Sequence, residues 1–178
     1  MNDKLFLNTL NGARSNTTPL WVMRQAGRYL AEYRAVRNRQ KDFISFCLNP
    51  EKASEVTIQP IKRFGFDAAI IFSDILMIPW AMNRNVRFKT GIGPLLDPMD
   101  QPSDIEDDVL RDLSSKLQPI GEAISLTRAA LPDKTALIGF AGAPWTIMTY
   151  MAEGGSSRDF ARARLWAWQD KIALDRLI

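Results

Sequence analysis

The sequence predicts an α/β fold, a (β/α)8 barrel of the TIM type, of which this chain supplies roughly the first half. Three observations carry that expectation. Short apolar runs alternate with segments of helical spacing, the pattern of a parallel sheet with crossover helices. Each run ends in residues fit for chemistry, as in a barrel that gathers its site at the C-terminal ends of several strands. The 178 residues fall short of the ~250 typical of a whole barrel. Residues 1–178 are therefore read as the N-terminal part of a single barrel domain.

The elements follow in order. Asp3 to Leu10 has short helical spacing, and Thr17-Thr18-Pro19 marks a turn. Leu20-Trp21-Val22-Met23 is an apolar run expected to form a buried strand, with the loop Arg24-Gln25-Ala26-Gly27-Arg28 after it. One glycine and two arginines there do not make the glycine-rich nucleotide loop of a doubly wound sheet. Leu30 to Arg37 reads as helix, while Asp42 and Asn49-Pro50 read as further helix starts. Pro60 predicts a bend or break in the next helix, which Gly65 ends. Asp67 to Phe72 is the second buried strand, closing on Ser73-Asp74.

Asn85 to Lys89 alternates like a half-exposed strand, and Gly91-Ile92-Gly93-Pro94 reads as a loop. Leu113, Leu117, Ile120, Ile124 and Leu131 form one stripe of an amphipathic helix that Pro132-Asp133 stops. Thr135 to Phe140 is the third buried strand, and Ala141-Gly142-Ala143 leads to a helix start at Pro144. A last helix is expected after Gly155, with Ala161, Leu165, Trp168 and Ile172 at helical spacing.

Composition narrows the chemistry. The chain has no histidine, which removes Ser-His-Asp triads, Cys-His pairs and histidine-held zinc or haem from it. Its one cysteine, Cys47, has no internal partner for a disulfide, so a reducing, cytoplasmic setting is expected. No apolar run approaches the ~20 residues of a membrane span, and the start shows no export signal. Net charge is +3, unevenly spread. From Arg24 to Lys41 six cations face the single acid Glu32, whereas from Asp97 to Asp112 seven acids face only Arg111. The basic run favours an anionic ligand, and the acidic run reads as a solvated loop and helix start.

Three places could carry chemistry. Arg24 and Arg28 follow the first run at a spacing that lets both reach one anion, and guanidinium reads carboxylate or phosphate bidentately; pairing with acids elsewhere in the fold is the plainer reading. Asp74 ends an apolar segment, where a carboxylate needs donors or a task for its charge; capping the following helix explains it equally well. Tyr150 stands after the third run with Gly142, Gly154 and Gly155 nearby in sequence, either donating a hydrogen bond to a ligand or packed on a rim with its hydroxyl in water. Gly154-Gly155-Ser156-Ser157 has a composition able to bind phosphate, but a loop with a helix cap is the simpler reading.

Pro19 to Tyr29, PLWVMRQAGRY, resembles the first signature of the uroporphyrinogen decarboxylase family, and Gly139 to Gly154, GFAGAPWTIMTYMAEG, resembles the second. Phe66 to Leu76, FDAAIIFSDIL, is similar to the strand and aspartate segment of the same family. The resemblance covers the whole chain but the first half of the family's protein. It implies a (β/α)8 barrel, a homodimer, no cofactor and no metal, and a small-molecule substrate rather than nucleic acid or membrane. The implied reaction removes the carboxyl groups of the four acetate side chains of uroporphyrinogen to give coproporphyrinogen, in haem biosynthesis. By motif, Arg24, Gln25, Ala26, Gly27, Arg28, Phe72, Asp74 and Tyr150 would contact substrate. Arg24 and Arg28 would hold its carboxylates, Asp74 would accept from pyrrole N–H groups, and Tyr150 would stand near a reacting acetate. Arg28, Asp74 and Tyr150 are the expected catalytic residues. The family's later serine and histidine have no counterpart here, and Ile147 replaces a commoner leucine or valine.

The chemistry agrees with that implication. A polycarboxylate is drawn to an arginine-rich loop, and protonating a pyrrole carbon makes the ring itself the electron sink, so no cofactor is required. The alternatives are a nucleic-acid module resting on the basic run, a related-barrel methyltransferase, and an inactive piece of the decarboxylase.

Overall fold

The computed structural model describes residues 4–89, 93–105 and 107–178. Its helices are α1 (Leu5–Leu10), α2 (Ala31–Arg37), α3 (Phe43–Cys47), α4 (Pro50–Phe64), α5 (Met77–Ala81), α6 (Asp107–Arg111), α7 (Leu113–Ala130), α8 (Pro144–Glu153), α9 (Ala161–Gln169) and α10 (Lys171–Leu177), with a 3-10 turn at Pro102–Asp104. The strands are β1 (Ala68–Ile70), β2 (Arg87–Lys89), β3 (Gly93–Leu95) and β4 (Ala136–Ile138). Two compact units result, Met1–Ser73 with Gln118–Phe140 and Asp74–Leu117 with Ala141–Ile178.

In the first unit β1 and β4 pair in parallel, Ala68 opposite Ala136 and Ile70 opposite Ile138. Local chemistry sets the helices that cover them. The Asp42 carboxylate accepts from the Ser45 N–H at 2.7 Å to start α3, and Asn49 accepts from Lys52 at 3.0 Å with Pro50 in the first turn of α4. Gly65, at φ 69, closes α4 in the left-handed conformation that glycine adopts without a steric cost. α4 runs unbroken through Pro60, so the proline does not break the helix. Ile58 and Ile61 of α4 pack on Ala69 and Leu131, and that burial outweighs the one hydrogen bond a proline removes.

Leu20–Met23 does not form the expected buried strand, and Leu20, Val22 and Met23 are exposed. The segment meets the edge of β1 only at its start, where the Asp67 N–H donates to the Leu20 carbonyl at 2.9 Å and the Asp67 carboxylate accepts from the Leu20 N–H at 2.7 Å. From Val22 onward the backbone turns away and its next donor is taken by a side chain, so no ladder forms. The expected stripe is buried at Leu131, just past α7, but is displaced within the helix itself. Ala123 and Thr127 are its buried residues while Ile124 is exposed. Ala123 packs with Ala53 and Ile71, and Thr127 donates its hydroxyl to the Ala123 carbonyl at 2.7 Å, so that its polarity is satisfied within the helix.

In the second unit β2 and β3 form an antiparallel pair with Phe88 opposite Pro94. Gly93 and Pro94, read as loop, are therefore strand, while Gly91 and Ile92 lie outside the described residues. The described acids of the acidic run are exposed, in a loop and at the start of α6 as expected, and several are also bonded. Asp97 pairs with Arg87 at 2.5 Å and accepts from Asn85 at 3.1 Å, and Asp104 accepts from the backbone of Asp100 and Gln101 at 3.0 and 3.1 Å. The single last helix is two. Asp170 leaves helical geometry at φ −141 and caps α10 by accepting from Ala173 at 2.9 Å. The N-cap of α9, Phe160, makes no side-chain cap bond, and Glu153 at the end of α8 instead accepts from the Arg162 N–H in the first turn of α9 at 2.9 Å. No helix among the described residues is long and apolar enough to cross a membrane.

Candidate functional site

The basic loop belongs to the first unit, and its middle residues explain its shape. Gln25 is fully buried at 0% exposure. Its carboxamide oxygen accepts from the Val22 N–H at 3.3 Å and its NH2 donates to the Ala68 carbonyl of β1 at 3.2 Å. Both ends of the amide are thus engaged by backbone, and the loop is tied to the sheet edge. Ala26 packs against the cluster of Leu30, Tyr33, Val36, Phe46 and Val56. A side chain at Gly27 would meet the Tyr29 ring at 3.3 Å and the Arg24 carbonyl at 3.4 Å, so glycine lets the loop close beneath that ring. The Tyr29 hydroxyl donates to the Gln25 carbonyl, and burial raises its pKa above the usual phenol range, with Arg63 opposing and Glu32 adding to the rise.

Arg24 and Arg28 are exposed, and neither guanidinium makes an ion pair among the described residues. The one acid of the basic run is used elsewhere, because Glu32 pairs with Arg63 at 3.0 Å. Its carboxyl is held below the usual range first by a backbone N–H at the start of α2 and then by Arg63. Pairing with acids among the described residues therefore does not account for these two arginines. Arg34 donates to the Arg28 carbonyl at 2.7 Å and braces the loop from α2.

Phe72, just past β1, is half-buried with its ring 4.6 Å from Phe46 and 5.9 Å from both Tyr33 and Phe43, measured between centroids. Its backbone N–H donates to the hydroxyl of Thr57 at 2.9 Å, and that hydroxyl donates in turn to the Ala53 carbonyl at 2.7 Å. Thr57 is a residue sequence reasoning missed. Its one signal is a threonine among the apolar residues of a helix.

In the second unit the Asp74 carboxylate accepts from the Leu76 N–H at 2.8 Å, and its backbone carbonyl accepts from Met77 at 3.2 Å. The aspartate therefore shapes the turn into α5, the helix-start role its position allowed. Ile75 beside it lies against Gly142, where an added Cβ would sit 3.3 Å from the Cβ of Ile75 and 2.5 Å from the Ile147 side chain. The strand-end segment after Ser73 thus packs on the start of α8, the helix that carries the half-buried Tyr150. Gly154, at φ 77, caps α8 by donating to the Tyr150 carbonyl at 2.9 Å, so the glycine pair works as a helix end. Among the described residues no group of three or more Cys, Asp or Glu side chains is placed to hold a metal ion.

The family model described as Uroporphyrinogen decarboxylase (URO-D) matches residues 1–178. The uroporphyrinogen decarboxylase of Maricaulis maris is 52% identical over 181 residues, covering 100% of this chain and 52% of the relative. That of Agrobacterium fabrum is 50% identical over 178 residues, with 100% and 52% covered. That of Rhodospirillum rubrum is 51% identical over 165 residues, with 93% and 47% covered. The chain spans about half the length of the curated relatives it matches. Among solved structures, a methyltransferase from Methanosarcina mazei superposes with a TM-score of 0.68 at 16% identity, over 97% of this chain and 49% of that one. Its likeness concerns the fold alone. The fold is of the TIM-type α/β class.

Proposed function

The chain belongs to the uroporphyrinogen decarboxylase family, and from that membership we propose that it forms the first half of an enzyme that converts uroporphyrinogen III to coproporphyrinogen III. In this reading residues 1–178 are the N-terminal part of a single (β/α)8 barrel domain, and the complete enzyme is a cytoplasmic homodimer that needs no cofactor. The observation that carries it is the pair of exposed guanidinium groups, Arg24 and Arg28, on a loop tied to β1 and without an acid partner among the described residues. A polycarboxylate supplies the missing counter-charges.

Arg24 and Arg28 then hold substrate carboxylates, with Gln25, Ala26 and Gly27 setting the loop between them and Phe72 bordering the ring. Loss of carbon dioxide from an acetate leaves an electron pair that the protonated pyrrole accepts. Asp74, oriented by its bond from Leu76, accepts from pyrrole N–H groups and stabilises the positive charge on that ring. Tyr150 donates a hydrogen bond to a reacting acetate.

Titration of the 178-residue chain with uroporphyrinogen tests the reading. Saturable binding is expected, weakened by about 1–3 kcal/mol in Arg28→Ala and in Arg28→Lys, since lysine keeps the charge but loses the fork. Equal binding by these variants and the parent would remove the arginines from the site. The chain alone is expected to release no coproporphyrinogen, because groups from the rest of the barrel are required; turnover at a complete enzyme's rate would overturn the half-barrel assignment.

A further inference from the structure

We propose that Gln25 is a positioning residue, holding Arg24 in a strained left-handed backbone conformation so that its guanidinium is set for a carboxylate before the ligand arrives. The inference deepens the proposed function and rests on its assignment of Arg24 to a substrate carboxylate. Arg24 has φ 56 and stands third in the turn Val22–Gln25, which the Gln25 N–H closes onto the Val22 carbonyl at 3.2 Å. A positive φ at that turn position is suited to glycine or asparagine. Arginine has neither glycine's freedom nor asparagine's short side chain to relieve it.

Such a conformation persists only where its surroundings over-determine it, and here they do. The Gln25 carboxamide accepts from Val22, the first residue of the turn, and donates to Ala68 of β1, while the Gln25 carbonyl takes the Tyr29 hydroxyl. The site needs an acceptor on one side and a donor on the other. A carboxamide supplies both, a carboxylate only the first, and a thioether offers only a weak acceptor. If the turn served the fold alone, glycine at position 24 would close it with less strain. What arginine adds is an exposed guanidinium on a fixed backbone, and fixing a group in advance reduces the ordering cost of binding.

A thermodynamic cycle tests this, using thermal unfolding of the 178-residue chain and binding of uroporphyrin I as a stable octacarboxylate probe. Arg24→Gly is expected to raise Tm by about 2–4 °C while weakening probe binding about tenfold or more. Gln25→Met, which removes no charge, is expected to lower Tm and, at a temperature where it is folded, to weaken binding about fivefold. Its Tm loss should shrink in the Arg24→Gly background, because the clamp then has no strain to hold. Should Gln25→Met fail to fold, Gln25→Glu, which keeps the acceptor for Val22, takes its place. Equal Tm losses in both backgrounds, or no Tm gain in Arg24→Gly, overturn the proposal. If Arg28→Ala weakens binding while Arg24→Gly and Gln25→Met do not, the proposal falls and the function stands. If no variant changes binding, the functional reading falls and takes the proposal with it.

Discussion

In the first unit Phe72 meets Tyr33, Phe43 and Phe46 edge-on or tilted, whereas the buried residues of the second unit include Met77, Met82, Met99, Met148 and Met151. Aromatic rings have few rotamers and directional contacts, so a cluster of them admits one arrangement. Methionine is flexible and fills whatever space the backbone leaves. The second unit takes its definition instead from backbone bonds, Leu96 to Gly154 at 3.0 Å and Met99 to Met151 at 2.9 Å, and from Arg162 and Trp166, which donate to the carbonyls of Met99 and Asp100. It also leaves Trp168 and Ile172 exposed at 88% and 86%. The difference teaches that the arginine loop rests on packing that fixes a geometry, and the Tyr150 helix on packing that adapts.

Substitutions that exchange shape for flexibility break or sharpen this contrast. The largest effect is expected for Phe46→Ala, at about 3–5 kcal/mol by urea unfolding, while Met151→Leu in the second unit should cost less than about 1.5 kcal/mol. If Phe46→Leu is tolerated as well as Met151→Leu, the contrast fails. Gly154→Ala tests the backbone frame of the second unit. Its Cβ would lie 2.8 Å from the Leu96 carbonyl at a positive φ, and a loss of about 1–3 kcal/mol is expected. Thr57→Val keeps the volume but leaves the Phe72 N–H without its acceptor, for about 1–3 kcal/mol, with faster amide exchange at Phe72 as the local sign.

Smaller effects should follow at the surface. The Asp42 carboxyl is held below the usual range chiefly by the Ser45 N–H. A depressed folded pKa means that its stabilisation is complete above the ordinary aspartate range and is lost as pH falls below about 4. Asp42→Ala should therefore cost about 0.5–2 kcal/mol at pH 7 and progressively less in acid, and an equal cost at pH 7 and pH 2.5 would refute the cap. Trp168→Ser should change stability by no more than about 0.5 kcal/mol by urea unfolding, because the side chain is exposed. A large loss of stability would mean that the exposed face is part of the second unit's packing.

Much of this was legible where a residue acts on its near neighbours. Asp42, Asn49-Pro50, Gly65 and Pro144 mark helix ends in the sequence because capping bonds reach only three or four residues. The apolar runs Asp67 to Phe72 and Thr135 to Phe140 read as strands for their bounded apolar pattern, of which Ala68–Ile70 and Ala136–Ile138 pair, and the motifs named the family. Less legible were the open Leu20–Met23 segment, the face of α7 that is buried, and the break at Asp170. Hydropathy marked Leu117 and Ile124 as core, yet Ala123 and Thr127 are the buried residues of α7; Ala123 packs with Ala53 and Ile71, where a small side chain fits, and Thr127 satisfies its hydroxyl within the helix.

The sequence by itself determined that this is an α/β chain of a decarboxylase family, where most helices begin and end, and which arginines stand in the signature. Tertiary structure alone decided that Gln25 is a clamp, that Arg24 adopts a left-handed backbone, and that Thr57 holds Phe72. The bond that ties the clamp to the sheet and the bond that holds Phe72 join residues far apart in the chain, Gln25 to Ala68 across 43 positions and Thr57 to Phe72 across 15. A hydrogen bond of that reach leaves no periodicity to read, since only the folded backbone brings its donor and acceptor within 3.2 Å.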